Sequence, residues 1–128
     1  MKLYRIIFPV DDIQAATSFY QDIFTQHGQR VSTGRHYFNL KGVILVCYDP
    51  IADGDEIHQK WKFHENQYIY IATDDLESVH HKFLVSKTVK FVDEEIKQMP
   101  WGERLFYAVD PFGNPICFVD EKTIFTGL

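Results

Sequence analysis

The sequence lacks an apolar run close to the roughly 20 residues that cross a bilayer, and Met1 leads directly into a patterned strand instead of a signal-peptide core. It also lacks an excess of basic charge. The net charge is −5, without a long stretch of either sign, so nothing indicates binding to nucleic acid or to an anionic membrane. The two cysteines, Cys47 and Cys117, lie far apart in patterned strands and are expected to stay reduced. We therefore expect a cytoplasmic protein.

The common catalytic signatures are missing as well. The chain contains no Gly-x-Ser-x-Gly, no glycine-rich phosphate loop and no Cys-x-x-Cys. Two carboxylate pairs, Asp11-Asp12 and Asp74-Asp75, stand at the start of predicted helices, where capping explains them without chemistry. The sequence therefore identifies no catalytic residue.

The most clearly patterned stretch of the chain is 99–119, which predicts two strands joined by one turn. In the turn Asp110-Pro111-Phe112-Gly113, Asp can bond the backbone ahead, Pro fixes φ at the second position, and Gly tolerates a positive φ at the fourth. The β-rich runs 105–109 and 116–119 are therefore expected to pair antiparallel.

The sequence repeats itself, because 8–20 and 71–83 match at an offset of 74 − 11 = 63 residues. Each half predicts a strand, a helix and three further strands. The first half is predicted to have strands at 3–10, 30–32, 37–40 and 43–48, with a helix that Asp11 or Asp12 caps and Gly28 ends. The second half is predicted to have strands at 68–73, 89–92 and 95–98 before the closing hairpin, with a helix that Asp74 or Asp75 caps.

The stretch 99–119 contains Pro100-Trp101-Gly102, then a short strand, and then Asp110-Pro111-Phe112-Gly113-Asn114. The pattern resembles the closing motif of the vicinal oxygen chelate superfamily, which includes glyoxalase I, bleomycin-resistance proteins and extradiol dioxygenases. The resemblance implies an α+β fold in which two βαβββ units form an open, curved mixed sheet. It also implies one domain, with repeats at about 1–49 and 67–121 joined by a connector at 50–66, and a homodimer. The connector is polar and is a candidate lid.

In the resembled superfamily, His or Glu from the first and last strands of each unit hold a divalent metal. The corresponding positions here are Arg5, Leu45 or a close neighbour, Tyr68 and Cys117. These side chains do not supply the imidazole and carboxylate donors that such an ion needs, so we expect no metal and no other cofactor. The histidines at 58, 64, 80 and 81 form no ligand cluster at a recognised spacing, and His36 with Glu103 is kept as an alternative, relocated metal site.

If the resemblance holds, alternation along the strands places a mixed set of side chains on the open side of the sheet. This set is Arg5, Ile7, Cys47, Tyr68, Tyr70, Cys117 and Val119. Arg104 is expected to help Arg5 and Tyr68 receive an anionic or carbonyl group, and aromatic walls are expected from Tyr37, Trp101 and Phe106. A few polar groups on an apolar lining are typical of a small-molecule site, although a side of the sheet filled by its own aromatics fits the same pattern.

The leading hypothesis is a metal-free, glyoxalase- or bleomycin-resistance-like protein that binds a small organic molecule. One alternative is a metal-dependent enzyme of glyoxalase or dioxygenase type with relocated ligands. Another is an interaction module whose open side is filled. An arginine near Cys117 could lower the pKa of its thiol and make it reactive. A buried, inert thiol is the favoured interpretation, because free cysteines are among the most buried residues.

Overall fold

A computed structural model describes residues 1–55 and 66–127. The chain divides into two compact units, Met1–Phe63 and His64–Leu128. In the described part of the chain, no helix is both long and apolar enough to cross a bilayer.

The first unit has the order strand, helix, three strands. Its elements are β1 (Arg5–Pro9), α1 (Ile13–Phe24), β2 (Gln29–Ser32), β3 (Arg35–Leu40) and β4 (Val43–Tyr48). The sheet runs β1-β4-β3-β2, with β1 parallel to β4 and the other neighbours antiparallel. This mixed arrangement follows from the helical crossover, since a parallel pair needs a long connection whereas antiparallel pairs need only short turns.

Aromatic side chains form the core between α1 and the sheet. Asp12 caps the helix by accepting a hydrogen bond from the Ala15 backbone N–H at 3.0 Å, which confirms one of the two predicted caps. Tyr20 is fully buried, and its ring lies 5.8 Å from that of Phe8 and 6.4 Å from that of Phe38. These contacts identify the face of β1 and β3 that carries Phe8 and Phe38 as the one that packs on the helix.

Gly28 does not end α1, contrary to the prediction. The helix ends at Phe24 because Thr25 takes a left-handed conformation with φ 49°. Gly28, with φ 65°, lets the segment between α1 and β2 approach β3 closely. A Cβ at this position would lie 2.5 Å from the Tyr37 carbonyl oxygen.

The second unit has the same order with one strand interrupted. Its elements are β5 (Ile69–Thr73), α2 (Leu76–Val85), β6 (Phe91–Val92), β7 (Lys97–Gln98), β8 (Arg104–Val109) and β9 (Pro115–Asp120), followed by a 3₁₀ helix (Glu121–Thr123). The sheet runs β5-β9-β8-β6, and β7 also pairs with β8. β5 is parallel to β9, whereas β6, β7 and β9 are antiparallel to β8. Asp75 is the helix cap, accepting from the Ser78 backbone N–H at 3.1 Å.

Asp93 lies in the interruption between β6 and β7. Its backbone N–H donates to the Tyr107 carbonyl oxygen at 2.9 Å, and its carboxylate accepts from the Tyr107 backbone N–H at 2.9 Å. Its carbonyl oxygen accepts from His80 Nε2 at 2.7 Å, which ties α2 to the same point. The segments predicted as strands at 89–92 and 95–98 are therefore shorter, because a side chain replaces part of the backbone ladder.

The closing hairpin forms as predicted. β8 and β9 pair antiparallel from Leu105 with Val119 to Val109 with Pro115. On the helix side of this pair, the fully buried rings of Phe106 and Phe118 stack at 5.5 Å and both contact Phe83 of α2. Within residues 1–55 and 66–127, two α-helices and two mixed sheets thus confirm the α+β class and the βαβββ order.

Candidate functional site

In the first unit, an arginine lies on the open face of the sheet, away from α1. Arg5 Nη1 donates a hydrogen bond to the Tyr37 hydroxyl at 2.6 Å. The Arg5 guanidinium also lies 5.3 Å from the centre of the Tyr4 ring and 5.8 Å from that of the Tyr37 ring. Cation–π contact and one neutral hydrogen bond orient this cation without neutralising its charge.

Arg5 differs from the arginines that form ion pairs. Among residues 1–55 and 66–127, no carboxylate lies within ion-pair distance of Arg5. By contrast, Arg35 lies 3.4 Å from Asp53, and Arg104 pairs with two carboxylates. Arg5 is also exposed, so its remaining N–H groups can reach a ligand.

The prediction that Cys47 shares a face with Arg5 is wrong. The register pairs Cys47 with Phe8 on one side and His36 on the other, and Phe8 packs on α1. Neighbours in a ladder point to the same side of the sheet, so Cys47 faces the helix, where it is fully buried. The open face instead receives Val46, which pairs with Ile7.

The same register corrects the position of the missing metal ligand in the first unit. Tyr70 follows Ile7 by the repeat offset of 63, and Tyr70 pairs with Cys117 as Ile7 pairs with Val46. Val46, not Leu45, is therefore the counterpart of Cys117. An aliphatic side chain has no donor atom, and the guanidinium of Arg5 keeps its protons, so these first-unit positions do not fit a divalent metal.

In the second unit, tyrosines surround a buried thiol. Cys117 lies on β9 between Tyr70 of β5 and Tyr107 of β8. The hydroxyl oxygens of Tyr70 and Tyr107 are 3.1 Å apart, so a hydrogen bond joins the two strands that flank Cys117. The Tyr68 ring meets that of Tyr107 edge-on at 5.1 Å. Tyr68, Tyr70 and Cys117 are thus brought together as predicted, with Tyr107 as an additional member.

Cys117 is not poised as a nucleophile. It is fully buried, and burial raises the pKa of its thiol to about 12, with further contributions from the negative charges of Glu103 and Asp93. Because the thiolate is the form that attacks electrophiles and binds metals, a protonated thiol supplies neither function at neutral pH. With Tyr68 at the other superfamily position, these second-unit positions do not fit a divalent metal either.

Three other predicted ligand-binding residues lie in different surroundings. Arg104 donates to Glu77 at 2.5 Å and to Asp120 at 2.7 Å, so its charge is already matched by two carboxylates. Phe106 is fully buried on the helix side, opposite the face of Cys117, and therefore does not form an aromatic wall there. Trp101 is 67% exposed in the turn before β8, where its Nε1–H donates to Glu103 at 2.7 Å.

The alternative pair, His36 and Glu103, is committed to local hydrogen bonds. His36 is buried on the helix side of β3; its Nε2–H donates to the His27 carbonyl oxygen at 2.8 Å, and its Nδ1 accepts from Arg30 Nε at 3.4 Å. Both imidazole nitrogens are therefore engaged. In the ranges 1–55 and 66–127, no group of three or more His, Cys, Asp or Glu side chains could hold a metal ion.

The predicted connector is described up to residue 55. Asp53 accepts from the Gly34 backbone N–H at 2.9 Å, and Asp55 accepts from the Tyr48 hydroxyl. Arg35 stacks on the Tyr48 ring at 4.5 Å and pairs with Asp53, so the start of the connector is fixed on β3 and β4. Residues 56–65, with His58 and His64, lie outside the described residues.

Tyr107 was missed from the sequence, although a signal for it exists. The turn at 110–113 pairs Val109 with Pro115, and moving two residues away from the turn on each strand pairs Tyr107 with Cys117. Once Cys117 is placed on the open face, the turn therefore places Tyr107 beside it.

Two βαβββ units, each with a mixed sheet, are typical of glyoxalase-like proteins, and comparison with known proteins gives the same class. The glyoxalase-like domain model matches residues 3–121. The uncharacterized protein YwbC of Bacillus subtilis (strain 168) is 30% identical over 121 residues, covering 85% of this chain and 89% of the relative. The chain belongs to the glyoxalase-like domain family, within the vicinal oxygen chelate superfamily.

Solved structures show the same fold at lower sequence identity. A glyoxalase/bleomycin resistance protein from Albidiferax ferrireducens T118 superposes with a TM-score of 0.74 at 16% identity, covering 91% of this chain and 97% of that one. A lactoylglutathione lyase from Agrobacterium tumefaciens gives a TM-score of 0.67 at 19% identity, covering 94% of both chains. At this level of identity the likeness establishes the fold alone, so function must be argued from this chain's own residues.

Proposed function

We propose that this protein binds a small organic molecule through an anionic or carbonyl oxygen that Arg5 contacts, and that it does so without a divalent metal. The observation that carries this proposal is the Arg5 guanidinium, which is exposed, has no carboxylate partner among the described residues and is oriented by Tyr37.

The chemistry of the guanidinium favours a carboxylate as the oxygen-bearing group. A guanidinium presents a planar fork of N–H donors that matches the two oxygens of a carboxylate. Contact with the Tyr4 and Tyr37 rings limits the conformations of the Arg5 side chain before a ligand arrives, so less entropy is lost on binding. The same rings offer an apolar surface to the organic part of the ligand.

Absence of a metal is supported by the donor chemistry of the superfamily positions. In the first unit these are Arg5 and Val46, and in the second they are Tyr68 and Cys117. Elemental mass spectrometry of gently purified protein, with melting temperature recorded with and without chelator, tests this part. We expect no stoichiometric divalent ion and no effect of the chelator; a stoichiometric ion whose removal lowers the melting temperature would support a metal-dependent enzyme instead.

Isothermal titration with benzoate tests the binding part, because benzoate combines a carboxylate with an aromatic ring. Loss of a charge-assisted hydrogen bond in Arg5→Met should weaken binding by about tenfold to a hundredfold. Lys2→Met is the matched control, since it removes one exposed positive charge nearby in the sequence without touching Tyr37. Equal losses of benzoate affinity in the two variants would mean that only the net charge matters. Benzoate affinity that does not change in Arg5→Met would refute the proposed contact.

A further inference from the structure

Among residues 1–55 and 66–127, the hydrogen bond between Tyr70 and Tyr107 leaves one phenolic proton available. Two hydroxyl groups carry two protons, and their mutual bond at 3.1 Å uses one of them. The hydrogen bond with Tyr70 and, after it, burial raise the pKa of Tyr107, so Tyr107 keeps its phenolic proton at neutral pH. Tyr107 is also the more buried of the two, whereas Tyr70 is 55% exposed. We assign the donor role to Tyr107, because the exposed Tyr70 hydroxyl has room for a second partner, and this assignment directs the proton of Tyr70 away from the pair.

The hydrogen bond from Tyr107 makes the Tyr70 hydroxyl a stronger donor to a ligand. A hydroxyl that accepts a hydrogen bond becomes a better donor, since the first bond polarises its O–H. The phenols are held in place by the ladder, because both flank Cys117 on β9, and the Tyr68 ring braces that of Tyr107. The open face of the second unit thus presents an oriented O–H donor on a rigid sheet.

Nearby charge bears on the type of acceptor. The carboxylates of Asp93 and Glu103 contribute to raising the pKa of Cys117, and Asp93 contributes also at Tyr107, while Lys97 pairs with Asp93 at 3.4 Å and offsets part of this negative charge. This environment differs from that of Arg5 in the first unit. A neutral oxygen with lone pairs accepts the Tyr70 hydrogen bond without adding repulsion between like charges.

We infer that Tyr107 and Tyr70 form a phenol relay that binds the neutral carbonyl oxygen of a small organic molecule. The inference rests on the proposed function, since it takes the protein to be a binder of small molecules, and it goes further by naming the functional group that the second unit recognises. The relay lies on the same face as Tyr68 and Cys117, the positions that do not fit a metal. The phenols would therefore contact the ligand oxygen by hydrogen bonding, in the place where a metal ion would act as a Lewis acid.

Binding of 4′-dimethylaminoacetophenone, a neutral ketone, tests the relay. Its absorption maximum moves to longer wavelength when its carbonyl oxygen accepts a hydrogen bond, so affinity and the hydrogen bond are measured together. Tyr70→Phe should weaken binding about fivefold to tenfold and shift the absorption of the bound ketone to shorter wavelength. Tyr107→Phe should have a smaller effect, about twofold, because it removes only the polarising bond. Tyr48→Phe removes a phenolic hydroxyl that bonds Asp55 in the first unit and should match the wild type.

The outcomes separate this inference from the proposed function. If benzoate binds in an Arg5-dependent manner but the ketone does not bind, or binds equally well to Tyr70→Phe, the relay is refuted and the proposed function stands. If the wild type binds neither probe, the proposed function fails and the relay fails with it. A weaker affinity of Tyr70→Phe without a change in the absorption of the bound ketone also refutes the relay, since a merely structural role of Tyr70 would give that result.

Discussion

Replacing Asp110 should destabilise the second unit more than any other change of a single carboxylate in the closing hairpin. Asp110 is fully buried in the β8–β9 turn. Its Oδ1 accepts from the backbone N–H groups of Phe112 and Asn114, both at 2.8 Å, and its Oδ2 accepts from Asn114 Nδ2 at 2.9 Å. The side chain therefore holds the turn from inside, at the point that sets the register of Tyr107 with Cys117.

The cost follows from the number and type of these bonds. A hydrogen bond to a charged group contributes about 1.5 to 3 kcal/mol, and bonds that share one carboxylate are not additive. Asp110→Ala removes all three and should cost about 3 to 5 kcal/mol, a large part of the 5 to 15 kcal/mol typical of a domain. Asp110→Asn keeps one oxygen for the two backbone donors but turns an NH₂ group toward the NH₂ group of Asn114, and should cost about 1 to 3 kcal/mol.

Guanidinium unfolding measured by circular dichroism tests this ranking, with the slope m compared between variants. Asp74→Asn makes the same chemical change at an exposed position outside the turn and should alter the free energy of unfolding by less than about 0.5 kcal/mol. A cost below about 1 kcal/mol for Asp110→Ala at unchanged m, or a greater cost for Asn than for Ala, would show that the turn does not depend on this carboxylate.

Three further outcomes follow from the same structure. Because the pKa of Cys117 is about 12, its alkylation by iodoacetamide at neutral pH, followed by mass spectrometry, should be about a thousandfold slower than that of an ordinary thiol. Asp75→Ala removes the cap on the Ser78 N–H and should cost about 1 kcal/mol in thermal unfolding. The hydrogen bond from Arg104 lowers the pKa of Glu77, so the stability it contributes is present above the ordinary pKa and is lost as pH falls through the lower value in the folded state. Arg104→Gln should therefore show a smaller fall in melting temperature than the wild type between about pH 5 and pH 3.

Local features of the fold could be predicted from sequence because short-range chemistry determines them. The Asp-Pro-x-Gly turn, with Gly113 at φ 94°, and the caps Asp12 and Asp75 each depend on residues within four positions of one another. The repeat then supplied the order of elements, since each match predicted a strand followed by a helix in both halves. The interruption at Asp93 had no such signal, because its carboxylate replaces a ladder bond to Tyr107, a residue far along the chain.

The candidate site was harder to predict because a change of one residue in register reverses which face a side chain occupies. β1 and β4 pair across a helical crossover, so no turn fixes their register, and Cys47 was placed on the wrong face for this reason. β8 and β9 are joined by a short turn, which fixes Cys117 opposite Tyr107; the placement of Cys117 on the same face as Tyr70 was correct, although β5 and β9 also pair across a crossover. Ion pairing of Arg104 with Glu77 could not be foreseen, since it depends on where α2 lies over the sheet.

The repeat separates positions that serve the fold from positions that serve the site. At the offset of 63 residues, the buried helix position Tyr20 corresponds to Phe83, and each ring packs against aromatics of its own sheet. On the open face, Arg5 corresponds to Tyr68 and Ile7 to Tyr70, so charge and polarity differ between the units. A core restricts both copies to large apolar rings, whereas an open face imposes no such limit. The two units therefore differ on this face, with an exposed cation in one and phenols in the other, and the proposed binding of a small molecule should depend on these unequal positions.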